Sequence, residues 1–319
     1  MAALSTDADK VQPLRWGSIS ARTAMVSRAG ALVAIGNTSR VMRWGRRHVI
    51  KILNPETPSH WAALEASWTA SLHEAGLPVP EVVDLVEVEG RPGIVFTLIP
   101  GPTMLEAIIA NPGAVKTHAQ RLAEVQAYLH RVEPPAGLPW LRDRLSRKMS
   151  EAASLSEEVR ARALGHLGDL DDGHQLCHGD LHPGNIVLAS AGPVVLDWFD
   201  VAVGHPFADV VRTSIMVRPR VLTPPPHYLP GSTNGLLEQF HWAYLHAYLE
   251  AAGTSLSEVA TWEFPVAAAR LCEQGEHADL EVWLRAMTSG TRQAVSRCSS
   301  AGLGMMAGSN TSRLRVAGS

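Results

Sequence analysis

The residues with the densest chemistry in the chain run from His178 to Asn185, HGDLHPGN, and Asp197 closes the VVLD run that follows. Imidazole and carboxylate groups can exchange protons near neutral pH. Carboxylate and carboxamide oxygens suit a hard cation such as magnesium. His178, Asp180 and His182 also spell HxDxH, a set that would suit zinc in a metallohydrolase. Between Asn185 and Asp197 the chain reads IVL, ASAGP, VVLD, two short apolar runs around a Gly-Pro turn, which predicts a β-hairpin. Antiparallel pairing then brings Asn185 and Asp197 to the same open end, roughly 5 Å apart at the backbone. Two oxygen ligands so placed fit magnesium, which takes few protein ligands and completes its octahedron with substrate phosphates and water.

Asp180 precedes Asn185 by five positions, the spacing of the kinase catalytic loop, whose aspartate orients the acceptor hydroxyl and accepts its proton. Taken together, HGDLHPGN, VVLDWFD and the later GHPFADVVRT resemble the signature of the aminoglycoside phosphotransferase and choline kinase superfamily, the small-molecule branch of the protein-kinase-like fold. The resemblance runs loosely from Gly36 to Leu284. It implies that Asp180 is the catalytic base, that Asn185 and Asp197 hold Mg2+, and that Asp209 braces the catalytic loop from a following helix. It also places the phosphates of ATP under the loop Gly36 to Arg40, GNTSR, where Gly36 and Ser39 are the binding candidates, Ser39 through its backbone N–H and hydroxyl. That loop is not the GxGxxG of protein kinases, and DWF stands where they have DFG; both departures favour the small-molecule branch.

A kinase also needs a cation on the nucleotide phosphates and a carboxylate to hold it. Lys51 and Glu65 are the candidates. A lone strand lysine or helix glutamate ordinarily faces solvent; their order ahead of HGDLHPGN is what marks them.

The elements that must position these residues follow from local patterns. ALVAI, GNTSR, VMRW, GRR and HVIKIL read as strand, loop, strand, turn, strand, with Lys51 on the face opposite Ile50 and Ile52. Trp61, Leu64, Trp68 and Leu72 recur at helical spacing, with Glu65 at the edge of the stripe, until Gly76, Pro78 and Pro80 stop the helix. The two tryptophans are read as packing rather than as an aromatic cage. EVVDLVEV and GIVFTLI make two more strands around the turn residues Glu89 to Pro92. Beyond Pro100, Gly101 and Pro102 the pattern turns helical, through Leu105 to Leu129, Leu236 to Leu249, and Val266 to Leu284, with Pro224 to Pro226 marking a loop. The expected fold is therefore α+β and two-lobed: a small antiparallel-sheet N-lobe over residues 1–98, a hinge over 99–102, a mainly helical C-lobe over 103–287, and an unstructured tail, rich in Ser, Gly and Thr, over 288–319.

Composition narrows the partners. In 319 residues, 46% hydrophobic and 18% charged with net charge −3, there is no general attraction for nucleic acid or an anionic membrane. Neither a leader pattern nor an apolar run of membrane-spanning length is evident, so a cytoplasmic location is expected. Cys177, Cys272 and Cys298, without CxxC spacing, read as reduced thiols.

The expected function is ATP- and Mg2+-dependent transfer of a γ-phosphoryl group to a hydroxyl of a small molecule. Asp200, Glu273, Glu276, Asp279 and Glu281 are candidates for an acidic pocket that would receive a cationic acceptor, although a solvated helix face explains the last four equally well. The alternatives are a catalytically silent nucleotide-binding module of the same fold and, further off, the HxDxH metallohydrolase, which leaves Lys51, Asn185 and Asp197 without a role.

Overall fold

A computed structural model describes residues 29–36, 38–217 and 233–273, together with 280, 281, 284, 285 and 288. The expected tail, apart from Thr288, and the loop at Pro224 to Pro226 lie outside the described residues.

Five antiparallel strands form the N-terminal sheet: β1 (Ala29–Ile35), β2 (Ser39–Trp44), β3 (His48–Leu53), β4 (Val82–Val88) and β5 (Arg91–Thr97), in the order β1-β2-β3-β5-β4. Strand alternation sorts β3 onto two faces. Ile50 and Ile52 pack with Trp44, Val88 and Val95 on one side. Leu53 packs with Ala62 and Ala66 of α1 (His60–Glu74) on the other, the side to which Lys51 also belongs. The turn between β4 and β5 is only Glu89 and Gly90, both at positive φ (53° and 73°), rather than the four residues expected from the sequence. Pro92 misled that reading: it stands within β5 opposite Glu87, but the pairing of β5 with β3 ends at Gly93, so the N–H that proline lacks is not required there.

Residues 98–103 lead into the helical part. This stretch is pinned to the catalytic segment: the Leu188 N–H donates to Pro102 O at 2.9 Å, and Gly101, at φ 140°, lies so close that a Cβ would meet Leu188 O at 2.6 Å. Thr103 then starts α2 (Met104–Ala110) with a capping box, its hydroxyl bonded to the Glu106 N–H and the Glu106 carboxylate to its own N–H.

α3 (Val115–Leu129), α4 (Leu141–Glu151), α5 (Glu157–Asp169), α6 (Pro206–Val217), α7 (Thr233–Ala252), α8 (Leu256–Ala260) and α9 (Glu263–Arg270) build the rest, with α3 against α7 and α4 against α5 and α9. The helical reading from Val266 to Leu284 is met by a helix that starts at Glu263 and ends at Arg270, and Leu280, Glu281, Leu284, Arg285 and Thr288, the first residue of the expected tail, are helical as well. Two small antiparallel pairs are embedded here: β6 (Gln175–Cys177) with β9 (Ala202–Gly204), and β7 (Ile186–Ala189) with β8 (Gly192–Val195). No described helix is long and apolar enough to cross a membrane.

Candidate active site

The β7–β8 hairpin forms where the sequence predicts it, with Ile186 opposite Val195 and the Leu196 N–H on Asn185 O at 2.8 Å. Asn185 and Asp197 therefore flank its open end. The β6–β9 pair sets Cys177 opposite Ala202, which brings the residues after β6, His178 to Asp180, against those before β9. The approach is close at Gly179: its φ is 79°, and a Cβ would stand 2.3 Å from Asp200 O. Only glycine fits there.

The loop is held from beneath by one carboxylate. Asp209, on the first turn of α6 and 1% exposed, accepts from the N–H of Gly179 at 2.7 Å and of His178 at 3.2 Å. It also accepts from Gln126 Nε2 at 2.9 Å and lies 3.0 Å from His130 Nε2. Burial would raise its pKa, but these donors prevail and keep it below the usual aspartate value. Gln126 on α3 and His130, the residue that caps its C-terminal end, stand four apart, one helical turn that aims both at the same acceptor. Neither was singled out from sequence.

His178 is a fully buried support. Its Nδ1 accepts from the Asp180 N–H at 3.1 Å and its Nε2 donates to Leu196 O at 2.9 Å, which fixes the neutral tautomer and occupies both nitrogens. His182 Nδ1 accepts from the Gly184 N–H at 3.0 Å, capping the turn before Asn185. With three ring nitrogens so engaged, the zinc arrangement has no ligand set.

Lys51 is the electrostatic centre. Its ammonium lies 2.6 Å from Glu65 Oε1 and 2.7 Å from Asp197 Oδ1, joining β3, α1 and the end of the hairpin. Glu65, placed by the sequence at the edge of the apolar stripe, is 1% exposed. Burial disfavours the charged lysine, yet Asp197 and Glu65 outweigh it and hold its pKa above the ordinary value; burial raises that of Glu65, against the pull of Lys51. Two of the three ammonium donors are used and one is left for a ligand. Asp197 adopts φ 60°, a left-handed conformation uncommon for a residue with a side chain. Trp198 anchors it through Nε1 to Val195 O at 3.1 Å. Phe199 packs on Trp61 at 5.1 Å between centroids, and Trp61 and Trp68 also carry the Arg144 guanidinium, so the tryptophans pack, as expected, and form no open cage.

Asn185 Nδ2 donates to Asp180 O at 3.0 Å, which leaves the amide oxygen for another partner. Asp180 itself receives Arg212 Nη2 on Oδ1 at 2.8 Å, while Arg212 Nε holds Gly179 O at 3.1 Å. Burial would raise the Asp180 pKa; Arg212 and His182 bring it below the usual value. Arg212 lies one turn after Asp209 on α6, and that spacing within GHPFADVVRT was the available signal for it.

The loop between β1 and β2 is tighter than GNTSR suggests. Ile35 already pairs with Arg40, the Gly36 N–H bonds Ser39 O at 2.8 Å, and Asn37 is outside the described residues. Gly36 is exposed beside the tip. Ser39 is the first residue of β2, opposite Leu53, and is buried. The loop is anchored to the segment after β3, through Asn54 N–H and Thr57 Oγ1 on Thr38 O at 2.8 and 3.0 Å.

Of the five acidic-pocket candidates, the three among the described residues each have cationic neighbours. Asp200 is bound by Arg144 at 3.1 Å and Lys148 at 3.0 Å. Glu273 is bound by Lys148 at 3.2 Å, Arg212 at 2.9 Å and Arg270. Glu281 sits 3.8 Å from Arg285, and Glu276 and Asp279 lie outside the described residues.

A family model described as "Phosphotransferase enzyme family" matches residues 33–254. The chain belongs to this family. Solved structures agree with a kinase-like fold for this phosphotransferase. An aminoglycoside phosphotransferase from Streptomyces rimosus in complex with ADP and streptomycin superposes with TM-score 0.55 at 17% identity, over 85% of this chain and 100% of that one. A thermostable aminoglycoside phosphotransferase mutant with ADP and hygromycin B gives 0.55 at 18% identity, over 92% and 98%. A choline kinase from Cryptosporidium parvum gives 0.51 at 13%, over 87% and 92%. Among curated proteins none matches this phosphotransferase in sequence.

Proposed function

We propose that this phosphotransferase moves the γ-phosphoryl group of ATP to a hydroxyl of a small molecule. The observation that carries the reading is the Lys51 ammonium joining Glu65 to Asp197 at the hairpin end where Asn185 also stands, with Asp180 hydrogen-bonded to Asn185 through its backbone.

The donor set fits magnesium: a carboxylate and an amide oxygen, with Asp197 38% exposed on its side chain and the Asn185 amide oriented by its own N–H. When bound there, the ion would neutralise charge developing on the phosphates. Lys51 would place its third donor on the α and β phosphates, beneath the loop at Gly36. Asp180, with Oδ1 on Arg212, has Oδ2 to receive the acceptor O–H. As the bond from acceptor oxygen to γ-phosphorus forms and the bond to the β-phosphate oxygen breaks, the hydroxyl proton passes to Asp180. Its lowered pKa makes it a weak base, so its contribution is mainly orientation, with the proton taken late, in keeping with a loose transition state.

ADP release in the presence of Mg-ATP and a panel of hydroxylated compounds tests this. At least one acceptor should stimulate release in a magnesium-dependent manner, and Asp180→Asn should lower that rate at least about a hundredfold while the protein still binds ATP. ATP binding without stimulation by any acceptor would leave only a silent nucleotide-binding module.

A further inference from the structure

Arg144, on α4 in the helical part, reaches to the helix that carries Glu65. Its guanidinium lies 5.9 Å from the ring centre of Trp61 and 5.2 Å from that of Trp68, both on α1. Through Nη2 and Nη1 it donates to Phe199 O at 3.2 Å and to Asp200 Oδ1 at 3.1 Å, in the segment that follows Asp197. The side chain is buried, and Nε has no hydrogen-bond partner among the described residues. On the α1 side the group is therefore held by the indole faces, which attract a cation. Phe199 completes the contact, its ring 5.1 Å from Trp61 and 5.8 Å from the Lys51 ammonium.

Trp61, Glu65 and Trp68 recur at i, i+4 and i+7, which is one face of a helix. The face of α1 that rests on Arg144 is thus the face that turns Glu65 to Lys51. Leu72 anchors the far end of α1 in the main core. The half that carries Glu65 shows the sheet Ala62 and Ala66, side chains too short to interlock and fix its rotation. Arg147, also on α4, lies over Trp61 at 5.8 Å, but it is half exposed and paired with Glu151, where water screens its charge. Lys148 also binds Asp200, at 3.0 Å, so a change at Arg144 does not strand that carboxylate.

Resting on the phosphotransferase reading above, we infer that Arg144 is a positioning residue: by joining α1 to the segment after Asp197, it holds Glu65 and Asp197 together on the Lys51 ammonium, whose third donor then faces the nucleotide phosphates.

The test needs no acceptor. Calorimetric titration of the full chain gives the Kd of Mg-ATP and of adenosine, before and after Arg144→Lys, which keeps a charge beside Asp200 but loses the flat face and the fork. Mg-ATP is expected to bind about tenfold more weakly, the scale of one charge-assisted hydrogen bond, while adenosine binds as before. Trp61→Leu removes the α1 side of the same contact and serves as the second variant should the first not fold. It should weaken Mg-ATP likewise, and the two substitutions combined should be no worse than the more severe of them alone. Equal losses for Mg-ATP and adenosine, losses that add in the combined variant, or Mg-ATP binding left intact by either substitution overturn the inference and leave the phosphotransferase reading standing. An unaltered chain that Mg-ATP neither binds nor stabilises against heating counts against the phosphotransferase reading itself and takes this inference with it.

Discussion

Lys51 shows how one residue ties stability to chemistry. An ammonium with its side chain 6% exposed is tolerable only because two carboxylates face it, and removing it would leave Glu65 buried without a cation. Lys51→Met is therefore expected to cost about 3 kcal/mol, the lower end of the range for breaking a buried pair, since Asp197 retains access to water. Adding Glu65→Leu should recover at least half of that loss, because it removes the stranded charge. Urea unfolding of the two variants measures both effects, and an unchanged midpoint in the single variant would refute the account. Neither variant should regain turnover, since the proposed phosphate contact is absent from both.

At the scale of elements, α6 organises the site. Its first turn supplies Asp209 to the catalytic-loop amides, to Gln126 of α3 and to His130 at the end of that helix, and its next turn supplies Arg212 to Asp180. In Asp209→Asn a single amide oxygen must serve four donors while the new NH2 faces some of them. A loss of about 2–4 kcal/mol is expected, which at this size lowers Tm by roughly 5–15 °C. Amide hydrogen exchange at His178 and Gly179 should accelerate together with the loss. Exchange unchanged at those two amides would mean that β6 and β9, rather than α6, hold the loop.

Across the whole molecule, the same buried carboxylates set the response to acid. Lys148, Arg144 and Arg212 oppose the burial of Asp200 and carry its pKa well below the ordinary value, and the pKa of Asp209 is likewise lowered. A carboxylate whose folded pKa is depressed contributes fully above its unfolded value, about 3.9, and loses that contribution as pH falls through the folded pKa. Stability should thus be flat in this respect above pH 5 and fall below pH 4, by up to about 1.4 kcal/mol per pH unit for each group. Denaturant midpoints from pH 6 to pH 3 check the slope, and Asp209→Asn should make it shallower. A slope that begins near neutral pH would assign acid sensitivity to other groups.

Much of this protein was determined by short-range pattern. HGDLHPGN, the two apolar runs after it and the alternation around Lys51 fixed the catalytic segment, the hairpin and the face of β3, because strand period and turn chemistry are local properties. The α+β content followed from the order of those elements, and the kinase-like architecture was what the resemblance of HGDLHPGN, VVLDWFD and GHPFADVVRT implied. Local pattern did not reveal α4, whose apolar residues Leu141, Leu145 and Met149 form a single narrow stripe among charges, although that helix brings Arg144 and Lys148 to the site. Ser39 is in the sheet rather than in the loop because the pairing of β2 with β3 extends to Ser39 opposite Leu53. Above all, the pairing of the acidic-pocket candidates was illegible. Asp200 and Glu273 read as an acidic pocket only until the fold set Arg144, Lys148, Arg212 and Arg270 against them, from three helices far apart in sequence. Charge in the chain is a sum over residues, whereas charge in a site depends on which distant residues the fold brings within a few ångströms, and only packing decides that.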